Sequence, residues 1–539
     1  MSTCGRVACA ASLVCEPPPS CRNPPPDASA LRIQILDTTL RDGEQTPDVA
    51  YTPAEKLQLA RMLLSEVRVD RIEIAQTRVS EGERQAARRI AAWARRAGMI
   101  RRVEIMGYVD GELSIEWIAG VGGKVMNLLA KGSEKHCREQ LRLSPEQHRR
   151  RVEATIRAAH QAKIHVNVYL EDWSNGVRES FDYVFAMVQM LQTLPIQRLY
   201  LPDTLGICQP EDVTRWVDLM AATWPDLHFE FHGHNDYGLA TANCLAAVRA
   251  GARGVHTSVN GMGERAGNTR LAEVVAALHD HTRHRVGVDE TKLASISRLV
   301  ETFSGKPVAA NAPIVGRDVF TQTGGIHADG DAKGDLYASD LIPARFGRLR
   351  QYALGKLSGK ASLAHNLRAL GIELSDAERS LVLARIVELG DRKSEIGPAD
   401  LPYIIADVLG RPEQRPVRIE SYRVLVSSRG LPEAEVEVSV RGERAAAKSG
   451  GDGGYDAFMR ALGKAVKPFG LTLPKLVDYQ VRIPPGGRSS ALVQTVITWQ
   501  GAGATESSYS TLAVDPDQLA AAVLATEKML NALAMRARK

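Results

Sequence analysis

At 539 residues the chain exceeds what a single hydrophobic core organises, so two or three domains are expected. Its 44% hydrophobic and 24% charged residues suit an ordinary globular protein. A formal net charge of +5, with no Lys/Arg run interleaved with aromatics, argues against a nucleic-acid partner while permitting acidic small molecules, and no apolar stretch reaches the length of a membrane span.

Residues 1–30 carry four of the seven cysteines, Cys4, Cys9, Cys15 and Cys21, among prolines and without amphipathic period. The segment lacks the clean basic start and cleavage site of a secretory signal, and its cysteine spacings do not match paired zinc ligands. A disordered extension is expected there. Cys137, Cys208 and Cys244 are scattered, as in a protein of the reducing cytoplasm.

From residue 31 to 290, apolar and β-branched runs of strand length recur. They are "IQILDTT" (33–39), "DRIEIAQ" (70–76), "RVEIMGY" (102–108), "KVMNLLA" (124–130), "HVNVYLE" (165–171), "RLYLPDT" (198–204), "HFEFHGH" (228–234) and "RGVHTSV" (253–259). Helical patterns separate them, and Thr52-Pro53 and Ser144-Pro145 read as helix starts, a capping residue before proline at the first helical position. Eight strand–helix units predict a closed (β/α)8 TIM barrel in an α/β protein. An open dinucleotide-binding sheet is disfavoured, since no Gly-x-Gly-x-x-Gly follows the first strand.

Barrel enzymes build their sites at the C-terminal ends of the strands. Those ends here are "DTTLRDGEQ", "YLEDWSNG", "LPDTLG", "HGHND" and "NGMGERAGN", all polar. In "FEFHGHNDYG", His232 and His234 are two apart, so a strand puts them on one face, with Cα atoms roughly 6.5–7 Å apart. Gly233 between them is expected to leave the opposite side empty. Asp42 supplies a third ligand, and Asn268 offers an amide oxygen. One carboxylate and two imidazoles leave positions open on a divalent ion, as a catalytic site requires. The carboxylate and ketone oxygens of an α-keto acid would fill them as a chelate, and Arg41 is placed to donate to the oxyanion that forms.

"LDTTLRDGEQT", "HGHNDYGLA" and "NGMGERAGNTRL" resemble the Claisen-condensing members of the DRE-TIM metallolyase superfamily, the isopropylmalate, homocitrate and citramalate synthases. The likeness extends over residues 31–539. "VYLEDWSNG", "HADGDAKGDLYA", "SGGDGGYDAFM" and "DYQVRIPPGG" resemble the spirochaete-type (R)-citramalate-forming branch in particular. That resemblance implies an acyltransferase that condenses acetyl-CoA with pyruvate and hydrolyses the thioester, feeding isoleucine biosynthesis. It implies a divalent cofactor (Mn2+, Zn2+ or Mg2+) on Asp42, His232 and His234, with Arg41 and Thr204 on the keto acid. Met106, Leu129 and Tyr169 would wall the pocket, Met106 standing where the branch usually has leucine. Glu171 is implicated in removing the acetyl proton. An unperturbed carboxylate is too weak a base for that, so it must be assisted or desolvated, and His327 is the alternative. His327 and Tyr337 would be brought over the barrel by a linking subdomain, in the family usually from the partner of a homodimer. Asp329, Asp335 and Leu336 complete the acetyl-CoA side, although Asp335 stands where asparagine is expected.

The same resemblance divides the rest into linking subdomains (291–411) and a C-terminal regulatory domain (412–539) of the leucine-synthase type. Residues 375–410 read as helical and "GRPEQRPVR" as a linker, with later helices at 454–468 and 516–535. The implied effector is isoleucine, on Tyr455, Asp456, Leu476, Tyr479 and Ile483, against the plainer reading of a dimerisation domain alone. A 2-isopropylmalate synthase would use the same metal ligands with a larger pocket. A lyase or a biotin-dependent carboxyltransferase would share the barrel, but the cysteine-loop signature of the former and the biotin-attachment "MKM" are absent. A catalytically inactive amino-acid sensor would lack a metal ligand, and none is missing.

Overall fold

The computed structural model describes residues 30–334, 336–391, 396–410, 415–482, 493–500 and 509–536. The four N-terminal cysteines lie outside them; Cys137, Cys208 and Cys244 are buried and free. The chain forms two compact units, one reaching Asp289 and taking in Phe303–Gly305, the other made of Glu290–Thr302 and the residues from Lys306 onward.

Eight parallel strands close the first unit into a barrel: β1 (Gln34–Asp37), β2 (Arg71–Gln76), β3 (Val103–Tyr108), β4 (Val125–Lys131), β5 (His165–Glu171), β6 (Ile196–Asp203), β7 (Phe229–Gly233) and β8 (Gly254–Thr257). The barrel closes where β8 pairs with β1, Gln34 opposite Gly254 through Asp37 opposite Thr257. Nine helices alternate with the strands: α1 (Pro53–Arg61), α2 (Glu81–Arg96), α3 (Leu113–Val121), α4 (Pro145–Gln161), α5 (Trp173–Glu179), α6 (Phe181–Leu191), α7 (Pro210–Thr223), α8 (Ala240–Arg249) and α9 (Leu271–His281). Thr52 and Ser144 cap α1 and α4 with reciprocal capping boxes, closed by Glu55 and Gln147. Each cap satisfies backbone donors that have no partner within the helix.

The barrel interior is not purely aliphatic. Arg71 donates to Glu104 at 2.8 Å, to Tyr200 Oη at 2.8 Å and to Glu230 at 2.6 Å, and His256 Nε2 lies 3.2 Å from Glu230. His256 Nδ1 lies 3.1 Å from Tyr169 Oη, Glu73 accepts from Asn127 at 2.7 Å, and Asn167 donates to Asn127 at 2.8 Å. Such groups survive burial because nearly every donor meets an acceptor.

After α10 (Leu293–Ser304), the second unit has a two-residue parallel pair, β9 (Thr321–Gln322) and β10 (Gln351–Tyr352), with α11 (Gly325–Ala332) between them. Leu363, Leu367, Val382, Ile386, Leu401 and Ile405 then form a helical core on α12 (Lys360–Leu370), α13 (Asp376–Asp391) and α14 (Leu401–Leu409). The C-terminal part repeats one plan, three antiparallel strands and a helix. The first copy is β11 (Val417–Ser427), β12 (Gly430–Val440), β13 (Glu443–Gly450) and α15 (Gly454–Val466). The second is β14 (Leu476–Arg482), β15 (Val493–Trp499), β16 (Tyr509–Asp515) and α16 (Gln518–Arg536). Val436, Phe458, Leu462, Trp499, Met529 and Leu530 share one core across both copies. The hairpin β11–β12 leaves Leu425, Val426 and Leu431 exposed.

Candidate metal and substrate site

The loop leaving β1 carries Arg41 and Asp42, and the end of β7 carries His232 and His234. Backbone hydrogen bonds pin that end from both sides, His234 N to Asp203 O at 3.4 Å and Thr269 N to Gly233 O at 3.0 Å. His232 Nε2 lies 3.2 Å from Asp42 Oδ2 and 3.3 Å from His234 Nε2. The ligand atoms of the three side chains all fall within 4.8 Å of one another, and all three residues are buried. The side opposite the imidazoles is not empty, as the sequence suggests. A Cβ on Gly233 would stand 3.0 Å from the Phe231 ring and 3.3 Å from Thr269 Oγ1, so glycine is there because the space is taken.

The triad fits a cation on electrostatic grounds. Asn268 Oδ1 is buried and accepts no hydrogen bond, while the Asn268 amide donates to Met262 O at 3.1 Å. Burial alone would push the Asp42 carboxyl up. The Arg41 guanidinium and the hydrogen bond from His232 override it and hold Asp42 well below the usual carboxylate range. Burial, helped by His232, holds His234 down to about 4, against the pull of Asp42. At neutral pH this arrangement presents an ionised carboxylate and a neutral imidazole, the protonation states that metal ligation needs.

Arg41 is fixed by Glu73, which accepts from its Nε at 2.6 Å; its Nη1 lies 3.5 Å from Asp42 Oδ1, and its guanidinium carbon 5.7 Å from the Tyr169 ring centroid. Burial works against the charge on Arg41, but Asp42 and Glu73 outweigh it, so the group stays cationic. Tyr169 stands edge-on to His232, with ring centroids 5.9 Å apart. Met106, Tyr169, Leu36 and Tyr200 form one buried cluster with Leu129 against it, so the three expected wall residues meet beside the triad.

Glu171 ends β5 directly opposite Lys131 at the end of β4, and the two form an ion pair. Thr204, just past β6, accepts the Asp172 N–H through its Oγ1 at 2.9 Å, which leaves its own hydroxyl hydrogen to donate. Glycines allow these strand ends to approach: a Cβ on Gly176 would fall 1.9 Å from Gly132 O.

The remaining expected residues lie in the second unit. His327, on α11, has its ring centroid 4.3 Å from that of Tyr337. Asp329 is paired with Lys333 at 2.6 Å, Leu336 and Tyr337 are exposed, and Asp335 lies outside the described residues. Tyr455 and Tyr479 meet at 5.1 Å between centroids, and the Tyr455 hydroxyl lies 2.7 Å from Thr526 Oγ1. Asp456 pairs with Arg460 at 2.9 Å, and Leu476 opens β14. Ile483 lies outside the described residues.

Sequence reading missed Glu73, Asn127, Lys131 and His256. Each is a polar residue buried in a barrel strand, and a polar side chain among buried apolar neighbours was the available signal.

A closed parallel barrel with an Asp-His-His triad at its strand C-termini has the architecture of a metal-dependent barrel enzyme. Family models agree in chain order: HMGL-like over residues 32–300, homocitrate synthase post-HMGL domain-like over 314–394, and the LeuA allosteric (dimerisation) domain over 395–534. The chain is 37% identical over 467 residues to a Methanopyrus kandleri protein provisionally assigned as an (R)-citramalate synthase, covering 86% of this chain and 88% of that one. It is 32% identical to the (R)-citramalate synthase of Methanocaldococcus jannaschii, covering 87% and 93%. It is also 32% identical to the 2-isopropylmalate synthase of Neisseria meningitidis, covering 80% and 84%. The chain belongs to the citramalate and 2-isopropylmalate synthase family. Among the described residues no helix is long and apolar enough to cross a membrane.

Proposed function

We propose that this protein is an (R)-citramalate synthase, condensing acetyl-CoA with pyruvate and hydrolysing the thioester to citramalate and CoA. The observation that carries the choice of keto acid is the clustering of Met106, Leu129 and Tyr169 beside Arg41 and the triad. A divalent ion held by Asp42, His232 and His234, with Asn268 as a further donor, would polarise the ketone as a Lewis acid. Arg41 donates to the carboxylate or the developing alkoxide, held in place by Glu73. Thr204 donates its hydroxyl hydrogen to the same substrate. Glu171, ion-paired with Lys131 at the ends of β5 and β4, would take the proton from the thioester methyl, with Lys131 holding its carboxylate in position. His327, with Tyr337, is the alternative base and would arrive from the partner of a homodimer, alongside Asp329, Asp335 and Leu336 as acetyl-CoA contacts.

In the C-terminal domain, isoleucine would bind around Tyr455, Asp456, Leu476, Tyr479 and Ile483 and inhibit by favouring one of two states. The buried free thiols Cys137, Cys208 and Cys244 support a cytoplasmic protein.

The deciding experiment is thiol release from acetyl-CoA with a panel of 2-oxo acids, with and without EDTA. Three bulky walls accept a methyl and crowd an isopropyl, and overpacking costs about 1–3 kcal/mol, a preference of roughly 5- to 150-fold for pyruvate over 2-oxoisovalerate. A higher kcat/KM for 2-oxoisovalerate would make the protein a 2-isopropylmalate synthase. The flexible Met106 is the wall that would yield.

A further inference from the structure

The floor of the barrel, where the strands begin, holds a cavity of about 560 Å³ that the reaction described above does not use. Six arginines line it, Arg32, Arg68, Arg71, Arg101, Arg102 and Arg198, with Asp70 as the one acidic lining residue among those described. Glu104 and Glu230 neutralise Arg71, and Glu230 also lies 3.2 Å from Arg198. Asp70 is divided between Arg32 at 2.7 Å and the backbone N–H of Ile35 at 2.9 Å. Arg102 spends its donors on the carbonyls of Asp70 and Val69, at 2.8 and 2.5 Å, and gains no carboxylate. Arg68 and Arg101 have no ion-pair partner among the described residues. The wall thus keeps an unbalanced positive charge around a concavity.

Two further features mark the cavity as shaped for an anion. Arg71 Nε is buried and donates to nothing, although the rest of that guanidinium is fully engaged. Gly287 lines the cavity opposite Arg32, and a Cβ there would fall 2.3 Å from the Arg32 guanidinium, so the bare backbone makes room for it. Burial weakens the hold of Arg102 on its proton, against the pull of Asp70 and with the push of Arg32, a cost that a bound anion would relieve.

We infer that the barrel floor is a binding site for a small multivalent oxyanion. Guanidinium forks pair bidentately with phosphoryl and carboxylate oxygens, and the volume falls within the range of ligand pockets, roughly 300–1,000 Å³, larger than one inorganic phosphate needs. Six guanidinium groups around one concavity suit a ligand with more than one anionic group.

The test is calorimetric titration of the full-length, metal-free protein with pyrophosphate and, separately, with citrate; the two arms separate a phosphoryl from a carboxylate preference. Saturable binding of either anion is expected, weakened at least tenfold in Arg68→Ala/Arg101→Ala while the circular dichroism spectrum is unchanged. Gly287→Leu, which displaces Arg32, should weaken it independently. An Arg41→Ala variant should bind as the parent does, which separates the floor from the guanidinium at the other end of the barrel. Binding of neither anion, or equal binding by parent and floor variants, would overturn the inference.

Discussion

At the triad a proton and a divalent cation compete for the same lone pairs, and the fold has largely settled that competition in advance. Burial holds His234 to about 4, so its imidazole offers a lone pair throughout the neutral range. His234→Ala should lower affinity for divalent cations at least a hundredfold with the fold intact, measured by competition with a metal-sensitive chelator. Unchanged affinity would remove His234 from the ligand set. Glu73 calls for a different readout, because it touches Arg41 and none of the three ligands. Glu73→Gln should leave metal affinity within about twofold but lower kcat/KM for the keto acid roughly 10- to 100-fold, the usual range for an orienting partner. If metal affinity fell in parallel, Glu73 would be holding the triad rather than the guanidinium. The triad was legible in the sequence because its histidines are two apart at a strand end and its aspartate follows another. Glu73 was not legible, because nothing local says that an acid in "RIEIAQ" faces an arginine leaving the neighbouring strand.

Elements were legible where their period was strong. Eight strands were expected and eight close the barrel, with bounds shifted by one or two residues because strand ends fray into the polar loops. Thr52-Pro53 and Ser144-Pro145 announced their helices, since the cap and the proline act locally. What stayed hidden is how tightly neighbouring elements meet. Lys131 and Glu171 pair only because β4 and β5 run in register and α5 begins against the same strand ends. Gly176 lies on α5, and any side chain there collides with Gly132 O. Gly176→Ala should therefore destabilise the protein by about 1–3 kcal/mol through overpacking and lower activity by spreading Lys131 and Glu171. Chemical denaturation and kcat measure the two effects separately; a variant of parental stability would mean that α5 slides freely over the strand ends.

Over the whole molecule, acid stability follows from buried titratable groups. Burial holds His148 and His234 down to about 4 and His256 to about 3, and it raises Asp37 to about 7 against its hydrogen bonds. Between about pH 4 and an unfolded imidazole value near 6.5, the unfolded chain binds three protons at these histidines that the folded chain does not. The folded chain retains one on Asp37 that the unfolded chain has lost. The unfolded state thus binds two more, so stability rises with pH across that window. The melting temperature of the metal-free protein should climb from pH 4.5 to 6.5 and level off near 7, where Asp37 begins to ionise while still buried. A flat or falling profile would mean that these groups reach solvent.

The repeated three-stranded sheets of the C-terminal half have a consequence for how concentrated solutions of this protein fail. A closed barrel exposes no row of unpaired backbone groups along a sheet edge, whereas each open sheet ends in two edge strands, available to any extended chain that meets them. On β11 that edge carries the exposed Leu425 and Val426, beside Leu431 in the same hairpin and beyond the last charge on the strand, Arg423. Turbidity on storage or mild heating should therefore grow by strand addition in the C-terminal half, while the barrel remains a bystander. Lysine at 425 and 426 should lengthen the lag before light scattering rises without changing thiol release.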